Sequence, residues 1–77
     1  MTAPTPASVP VLSLSVNGVA ATVAAGTTLD TLVAALTEAP SGVAAALNET
    51  VVPRGQWSAS ALTDGDRVEV LTAVQGG

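Results

Sequence analysis

Residues 11–24 have the sequence VLSLSVNGVAATVA, in which two apolar stretches flank an Asn-Gly pair. Within residues 11–16 the leucines and valines alternate with serines, which is the period of a half-buried β-strand. Asn17-Gly18 tolerates the positive φ angles of a type I′ turn, so the chain is expected to return along residues 19–24. The stretch therefore predicts a β-hairpin.

A helical period follows the hairpin. The apolar residues that recur at helical spacing are Leu29, Leu32, Val33 and Leu36. They predict an amphipathic helix over about residues 28–38. Thr27 and Asp30 have the spacing of a capping box, and Pro40 and Gly42 are expected to end the helix.

Short elements are predicted in the second half of the chain. They are strands at residues 43–47 and 50–52 joined at Asn48-Glu49, a helical turn within 56–62 around Trp57, a turn at 63–66 and a last strand at 67–73. In the last strand, alternation points Val68 and Val70 inward and Arg67 and Glu69 outward. Trp57 is expected to cover one end of the core.

This order of elements predicts the α+β class, with one mixed sheet and one main helix packed on one face. Because the helix separates the hairpin from the later strands, a right-handed crossover can place the last strand parallel to the first at the sheet centre. That arrangement is the ubiquitin-like β-grasp fold, and a ferredoxin-like sheet lacking one element is the alternative. The expected organisation is a flexible leader at residues 1–10, the domain at 11–73 and a flexible diglycine tail at 74–77.

Composition excludes several kinds of function. The 77 residues contain no Cys, His or Tyr, so thiol chemistry and histidine-based catalysis are absent and the chain is not expected to be an enzyme. Two arginines against six acidic residues offer no surface for nucleic acid. No long apolar run predicts a membrane span, and residues 1–10 lack the features of a secretion signal, so a cytoplasmic location is expected.

Asp64-Gly65-Asp66 is predicted to be a turn. Two carboxylates without further ligands rarely hold a cation, so no metal site is expected there.

The chain ends in Val74-Gln75-Gly76-Gly77, immediately after the last predicted strand. Glycines lack a Cβ, so such an end can pass through a narrow channel into a partner's active site, with Val74, Gln75 and Gly76 as the threaded residues. The Gly77 α-carboxylate is ionised at neutral pH and can attack the α-phosphate of ATP to give an acyl-adenylate. A frayed terminus or a cloning remnant is the alternative explanation.

One set of motifs resembles a known family. The motifs are Val52-Pro53-Arg54, Trp57, Leu62, Asp64-Gly65-Asp66, Val68-Glu69-Val70 and Val74 to Gly77. In this pattern, over about residues 11–77, the chain resembles the ThiS family, the ubiquitin-like β-grasp sulfur carriers of thiamine biosynthesis.

The resemblance implies a carrier role for Gly77. The E1-like enzyme ThiF would adenylate Gly77 with Mg-ATP, and sulfur from a cysteine desulfurase or another persulfide donor would convert it to a thiocarboxylate. The thiazole synthase ThiG would then take the sulfur. No tightly bound cofactor is implied, since the ATP and magnesium are used by the activating partner.

Leu71 is the main candidate for partner binding. Alternation turns Leu71 to the sheet face opposite Val70, which the predicted helix leaves uncovered, and an exposed apolar patch follows. Glu69 and Arg54 are further candidates for partner contact.

Three alternative functions stay open. The small subunit of molybdopterin synthase shares the fold and the diglycine chemistry, although the spacing of Val52-Pro53-Arg54 and Trp57 favours the thiamine carrier. A ubiquitin-like modifier would be conjugated to proteins through Gly77. A purely structural interaction domain would make no use of Gly76-Gly77.

Overall fold

The computed structural model describes residues 10–37 and 42–72 of the chain. Its elements are the strands β1 (Val11–Val16) and β2 (Val19–Ala24), the helix α1 (Leu29–Leu36), the strands β3 (Val43–Leu47) and β4 (Thr50–Val52), a 3-10 helix (Arg54–Ala59) and the strand β5 (Arg67–Thr72). The predicted order of elements is confirmed. The predicted leader and tail lie outside the described residues, except for Pro10, whose carbonyl accepts a hydrogen bond from the Ala25 amide at 2.9 Å.

The strands form one five-stranded sheet in the order β2-β1-β5-β3-β4. β1 and β5 are parallel, with Ser15 opposite Arg67 and Val16 opposite Val68, while the other neighbouring pairs are antiparallel. The last strand therefore lies at the sheet centre, parallel to the first, as the sequence predicts. A central β5 between β1 and β3 is the β-grasp arrangement and excludes the ferredoxin-like alternative.

Two tight hairpin turns border β5. Asn17 and Gly18 join β1 to β2 with φ angles of 51° and 82°, and Asn48 and Glu49 join β3 to β4 with φ angles of 51° and 73°. Both central residues of each turn have positive φ, as type I′ geometry requires. The first turn confirms the Asn-Gly prediction.

The core lies between one face of the sheet and the two helices. Its buried apolar residues are Leu14, Val16, Leu29, Leu32, Val33, Ala45, Trp57, Leu62, Val68 and Val70. Val68 and Val70 face inward in β5, and Trp57 is buried with its indole Nε1 donating to the Val52 carbonyl at 2.8 Å. The predicted inward residues of β5 and the core role of Trp57 are confirmed.

The main helix is slightly shorter than the predicted residues 28–38, and its predicted capping box is wrong. Thr28 is the N-cap, and its hydroxyl bonds the Asp30 carboxylate, so the capping box predicted for Thr27 and Asp30 does not form. The Thr27 carbonyl instead accepts the Leu62 amide at 3.0 Å, beside an isolated bridge that pairs Thr28 with Ala61 beyond the 3-10 helix. The helix ends at Leu36, and that leucine is 48% exposed, so the buried stripe stops at Val33.

The predicted helical turn around Trp57 also begins earlier than expected. The 3-10 helix starts at Arg54, directly after Pro53, and ends at Ala59. Proline fixes φ near the helical value and lacks an N–H, so it fits the position before a first turn. Arg54 thereby lies within the helix rather than in a strand-to-helix loop.

Candidate functional site

The two faces of the sheet differ in cover and composition. The helices pack on the face that carries the core, and strand pairing places small side chains on the opposite, open face. Those small residues include Ser13, Ser15, Ala20, Thr22, Ala44 and Ala46. Leu71 rises from this surface opposite Ala44 and is 68% exposed. Its neighbours are too small to shield it, so an apolar side chain is exposed to solvent near the end of the central strand.

A groove of about 440 Å³ borders Leu71 on the open face. β1 ends at Val16 and turns away through Asn17 and Gly18, while β5 continues to Thr72, so the space beside the end of β5 is left without a strand. Glu69 and Arg67 also line the groove. Two of the predicted partner-binding residues, Leu71 and Glu69, are therefore brought together.

Arg54 lies at a different place. Its guanidinium carbon is 5.3 Å from the centroid of the Trp57 ring, and it lines a cavity of about 580 Å³ between α1 and the 3-10 helix. Asp30 and Val33 line the same cavity. Arg54 therefore lies with the helices and not with Leu71 and Glu69.

The Asn17 side chain extends the pairing of β5 beyond the end of β1. Its Oδ1 accepts the Val70 amide at 2.9 Å, and its Nδ2 donates to the Val70 carbonyl at 3.2 Å. The Asn17 backbone amide also donates to the Val68 carbonyl at 2.8 Å. The side chain thus supplies the donor and acceptor that a further β1 residue would have provided.

Asn48 makes corresponding contacts at the beginning of β5. Its Oδ1 accepts the Arg67 amide at 2.9 Å, and its backbone amide donates to the Arg67 carbonyl at 2.8 Å. Its Nδ2 donates to the Asp66 carboxylate at 3.0 Å. One asparagine from each hairpin turn therefore holds one end of the central strand.

Asp66 is the buried charged residue of the described region. Its carboxylate accepts hydrogen bonds from the Thr63 amide, the Thr63 hydroxyl and the Asn48 side chain, at 2.8, 2.8 and 3.0 Å. Burial alone would raise the pKa of this carboxyl, but the hydrogen bonds from Asn48 and Thr63 outweigh it and lower the pKa below its ordinary value. The ionised form therefore stabilises the turn that leads into β5.

We expect the free energy of unfolding to fall in acid because of Asp66. A carboxyl with a lowered pKa in the folded state contributes its stability above the unfolded-state pKa and loses it as the pH falls through the folded-state value. The loss should begin near pH 5 and continue below the ordinary carboxyl pKa, and Asp66→Asn should flatten this dependence. Urea unfolding followed by circular dichroism at several pH values measures it. Glu69→Gln, at an exposed carboxyl, is the control, and an Asp66→Asn variant with the same acid dependence as the parent would contradict the assignment.

The exposed charges near the groove form one ion pair. Arg67 Nη2 lies 3.4 Å from Glu49 Oε2, and both side chains are largely exposed, so the pair contributes little stability. The ion pair with Glu49 neutralises Arg67 on the open face. Among the described residues, Glu69 has no ion-pair partner. Glu69 therefore leaves a negative charge beside Leu71.

The predicted tail residues Val74, Gln75, Gly76 and Gly77 lie outside the described residues. The described chain stops at Thr72, next to Leu71. Within residues 10–37 and 42–72, no three His, Cys, Asp or Glu side chains converge on a possible metal position. The same residues contain no helix long and apolar enough to cross a membrane.

Sequence reasoning identified Asn17 and Asn48 as turn residues and missed their side-chain contacts with β5. The signal for those contacts is the choice of asparagine at a positive φ. Glycine satisfies that backbone angle with no side chain, whereas asparagine also offers an amide that can donate and accept.

Fold and site together define a ubiquitin-like β-grasp domain with an exposed apolar residue and a groove next to the end of its last strand. The family model for ThiS matches residues 14–77. The chain belongs to the ThiS family, the sulfur carriers of thiamine biosynthesis.

Individual relatives agree with this assignment. The sulfur carrier protein ThiS of Escherichia coli is 37% identical over 54 residues, which are 70% of this chain and 82% of that protein. The crystal structure of the thiamine biosynthesis protein ThiS from Geobacter metallireducens superposes with a TM-score of 0.70 at 36% identity, over 86% of this chain and all of that one. A thiazole synthase of Magnetococcus marinus is 38% identical over 66 residues, which are 86% of this chain and 20% of that protein.

Proposed function

We propose that Gly77 carries sulfur as a C-terminal thiocarboxylate. An E1-like adenylyltransferase of the ThiF type, using ATP and magnesium, activates the Gly77 carboxylate, and a thiazole synthase of the ThiG type receives the sulfur. The observation that carries the proposal is the ThiS family match, which extends through the Gly-Gly end of a chain that has no cysteine.

The chemistry follows from the reactive groups of the chain. A Gly77 carboxylate oxygen attacks the α-phosphorus of ATP, the bond to the departing phosphates breaks, and pyrophosphate leaves with an acyl-adenylate formed. The terminal sulfur of a partner's persulfide then attacks the acyl carbon and AMP leaves, which gives an acyl disulfide. A second thiol of the partner attacks the donor sulfur of that S–S bond, so the Gly77 thiocarboxylate is released and a disulfide remains on the partner. This chain has no thiol, so the sulfur must come from a partner such as a cysteine desulfurase or another persulfide donor.

The open face of the sheet is the proposed docking surface for these enzymes. Leu71 offers an exposed apolar anchor, Glu69 offers a charge beside it, and both lie within a few residues of the Gly77 carrier group. Arg54 would contact a partner only through the separate surface at the helices. The thiazole synthase of Magnetococcus marinus, which contains a region similar to this chain, supports the choice of sulfur acceptor.

On this proposal the chain is a substrate of other enzymes and not an enzyme itself. It has no His, Cys or Lys to act as a general base or nucleophile, and it needs no tightly bound cofactor. ATP-dependent activation fits a cytoplasmic location.

Carrier-dependent exchange of pyrophosphate into ATP tests the proposal. With a ThiF-type enzyme, the full chain should support exchange of labelled pyrophosphate, and the same chain lacking Gly76-Gly77 should not. Equal exchange with and without the last two residues would contradict activation at Gly77.

A further inference from the structure

We infer that Asn17 is a positioning residue for activation of the tail, acting through the end of β5. The inference rests on the proposed function, since it concerns how efficiently the Gly77 carboxylate is presented to the activating enzyme. Its structural basis is the pair of hydrogen bonds between the Asn17 side chain and the Val70 backbone.

The end of β5 depends on that side chain. β1 pairs with β5 at residues 15–16 only and then turns away, whereas β3 pairs with β5 as far as Thr72. Because the N–H and C=O of a strand residue point to the same side, the Val70 groups that meet Asn17 are turned away from β3. Without the Asn17 side chain, the Val70 amide and carbonyl would lose the protein partners that hold them.

The position of Val70 matters for the tail. Val70 directly precedes Leu71, the anchor of the proposed docking surface, and only Thr72 separates Leu71 from the end of the described chain. Movement at Val70 shifts Leu71 and Thr72, the last described residue, together. By fixing Val70, Asn17 therefore holds Leu71 and the described end of β5 in place for the partner.

The chain contains a matched control. Asn48 has the same φ of 51°, occupies the equivalent place in the other hairpin turn, and also holds β5 through its side chain, but at Arg67. Glycine accepts that backbone angle without strain, so Asn17→Gly and Asn48→Gly each remove side-chain hydrogen bonds and leave the turn intact. The two variants differ in which end of β5 they release.

Amide hydrogen exchange and activation kinetics test the inference together. Asn17→Gly should accelerate exchange at the Val70 amide by about tenfold or more. It should also raise KM for the carrier in pyrophosphate exchange by about tenfold, with little change in kcat, because the strand end must be ordered on binding. Asn48→Gly should show a comparable loss of overall stability, with KM close to that of the parent chain.

Each other outcome contradicts the inference. If Asn17→Gly has the same KM as the parent chain, or if Asn48→Gly raises KM as much as Asn17→Gly does, then fixing the end of β5 does not determine how well the carrier is activated. If KM rises while the Val70 amide stays protected, Asn17 acts by touching the partner directly. If the parent chain does not support pyrophosphate exchange, the proposed function is contradicted instead. The hydrogen-exchange rates of the Val70 amide would still show whether Asn17 holds the end of β5.

Discussion

A chain from which Gly77 has been deleted is expected to lose adenylation almost completely. An extended residue spans about 3.3–3.6 Å, so the deletion withdraws the terminal carboxylate by about that distance. Reacting atoms must approach to about 3–3.5 Å, and a displacement of even about 1 Å can cost a hundredfold in rate. Pyrophosphate exchange at equal carrier concentrations measures the loss.

A second deletion distinguishes the effect of tail length from the effect of the Gly-Gly sequence. Removing Gln75 keeps the Gly-Gly end but shortens the tail by the same distance, so it should be as inactive as the Gly77 deletion. Gln75→Ala, which keeps the length, should retain most of the activity. An active chain without Gln75 would mean that the glycines matter and the distance from β5 does not.

Leu71→Asp is expected to lower kcat/KM for adenylation by about thirtyfold or more. Central apolar anchors of interfaces contribute about 2 kcal/mol or more, and an aspartate there would also have to be desolvated in the complex. Because Leu71 is 68% exposed in the free protein, the change should cost the fold about 1 kcal/mol or less. Pyrophosphate exchange at varied carrier concentration, together with urea unfolding, measures both effects.

One exposed valine serves as a control for Leu71→Asp, and a second shows how far the docking surface extends. Val19, at 67% exposure, lies on β2 and does not line the groove, so Val19→Asp should leave adenylation unchanged. Val51, at 70% exposure, lies on the edge strand β4 and pairs with Ala46 on the open face, so Val51→Asp measures how far the docking surface extends. Leu71→Ser, which adds no charge, should show a smaller loss in the same direction. Unchanged kinetics for both Leu71 variants would exclude the open face as the docking surface.

Most of the fold could be predicted because local signals and tertiary packing agree. The alternation within β1, the Asn17-Gly18 turn and the inward valines of β5 each impose the geometry that the sheet requires. The beginning of the helix was harder to predict, because the Thr27 carbonyl accepts a hydrogen bond from the amide of Leu62, a residue far along the chain. A capping pattern that spans four neighbouring residues contains no information about such a distant partner.

The candidate site was predicted only in part, for a similar reason. The outward direction of Leu71 and Glu69 follows from strand period, but the grouping of side chains across the sheet depends on pairing. The motif Val52-Pro53-Arg54 therefore could not show that Arg54 lies beside the helices and away from Leu71. The roles of Asn17 and Asn48 also depend on register, since their partners Val70 and Arg67 lie in a strand distant in sequence.

The intact mass of the protein after incubation with a ThiF-type enzyme, Mg-ATP and a sulfur donor tests the central claim most directly. The carrier mechanism predicts one mass increase equal to the replacement of oxygen by sulfur, located at Gly77 by fragmentation and absent when ATP is left out. An unchanged mass, alongside a ThiS control that is converted under the same conditions, would contradict it, as would a covalent conjugate of Gly77 with another protein in place of the thiocarboxylate.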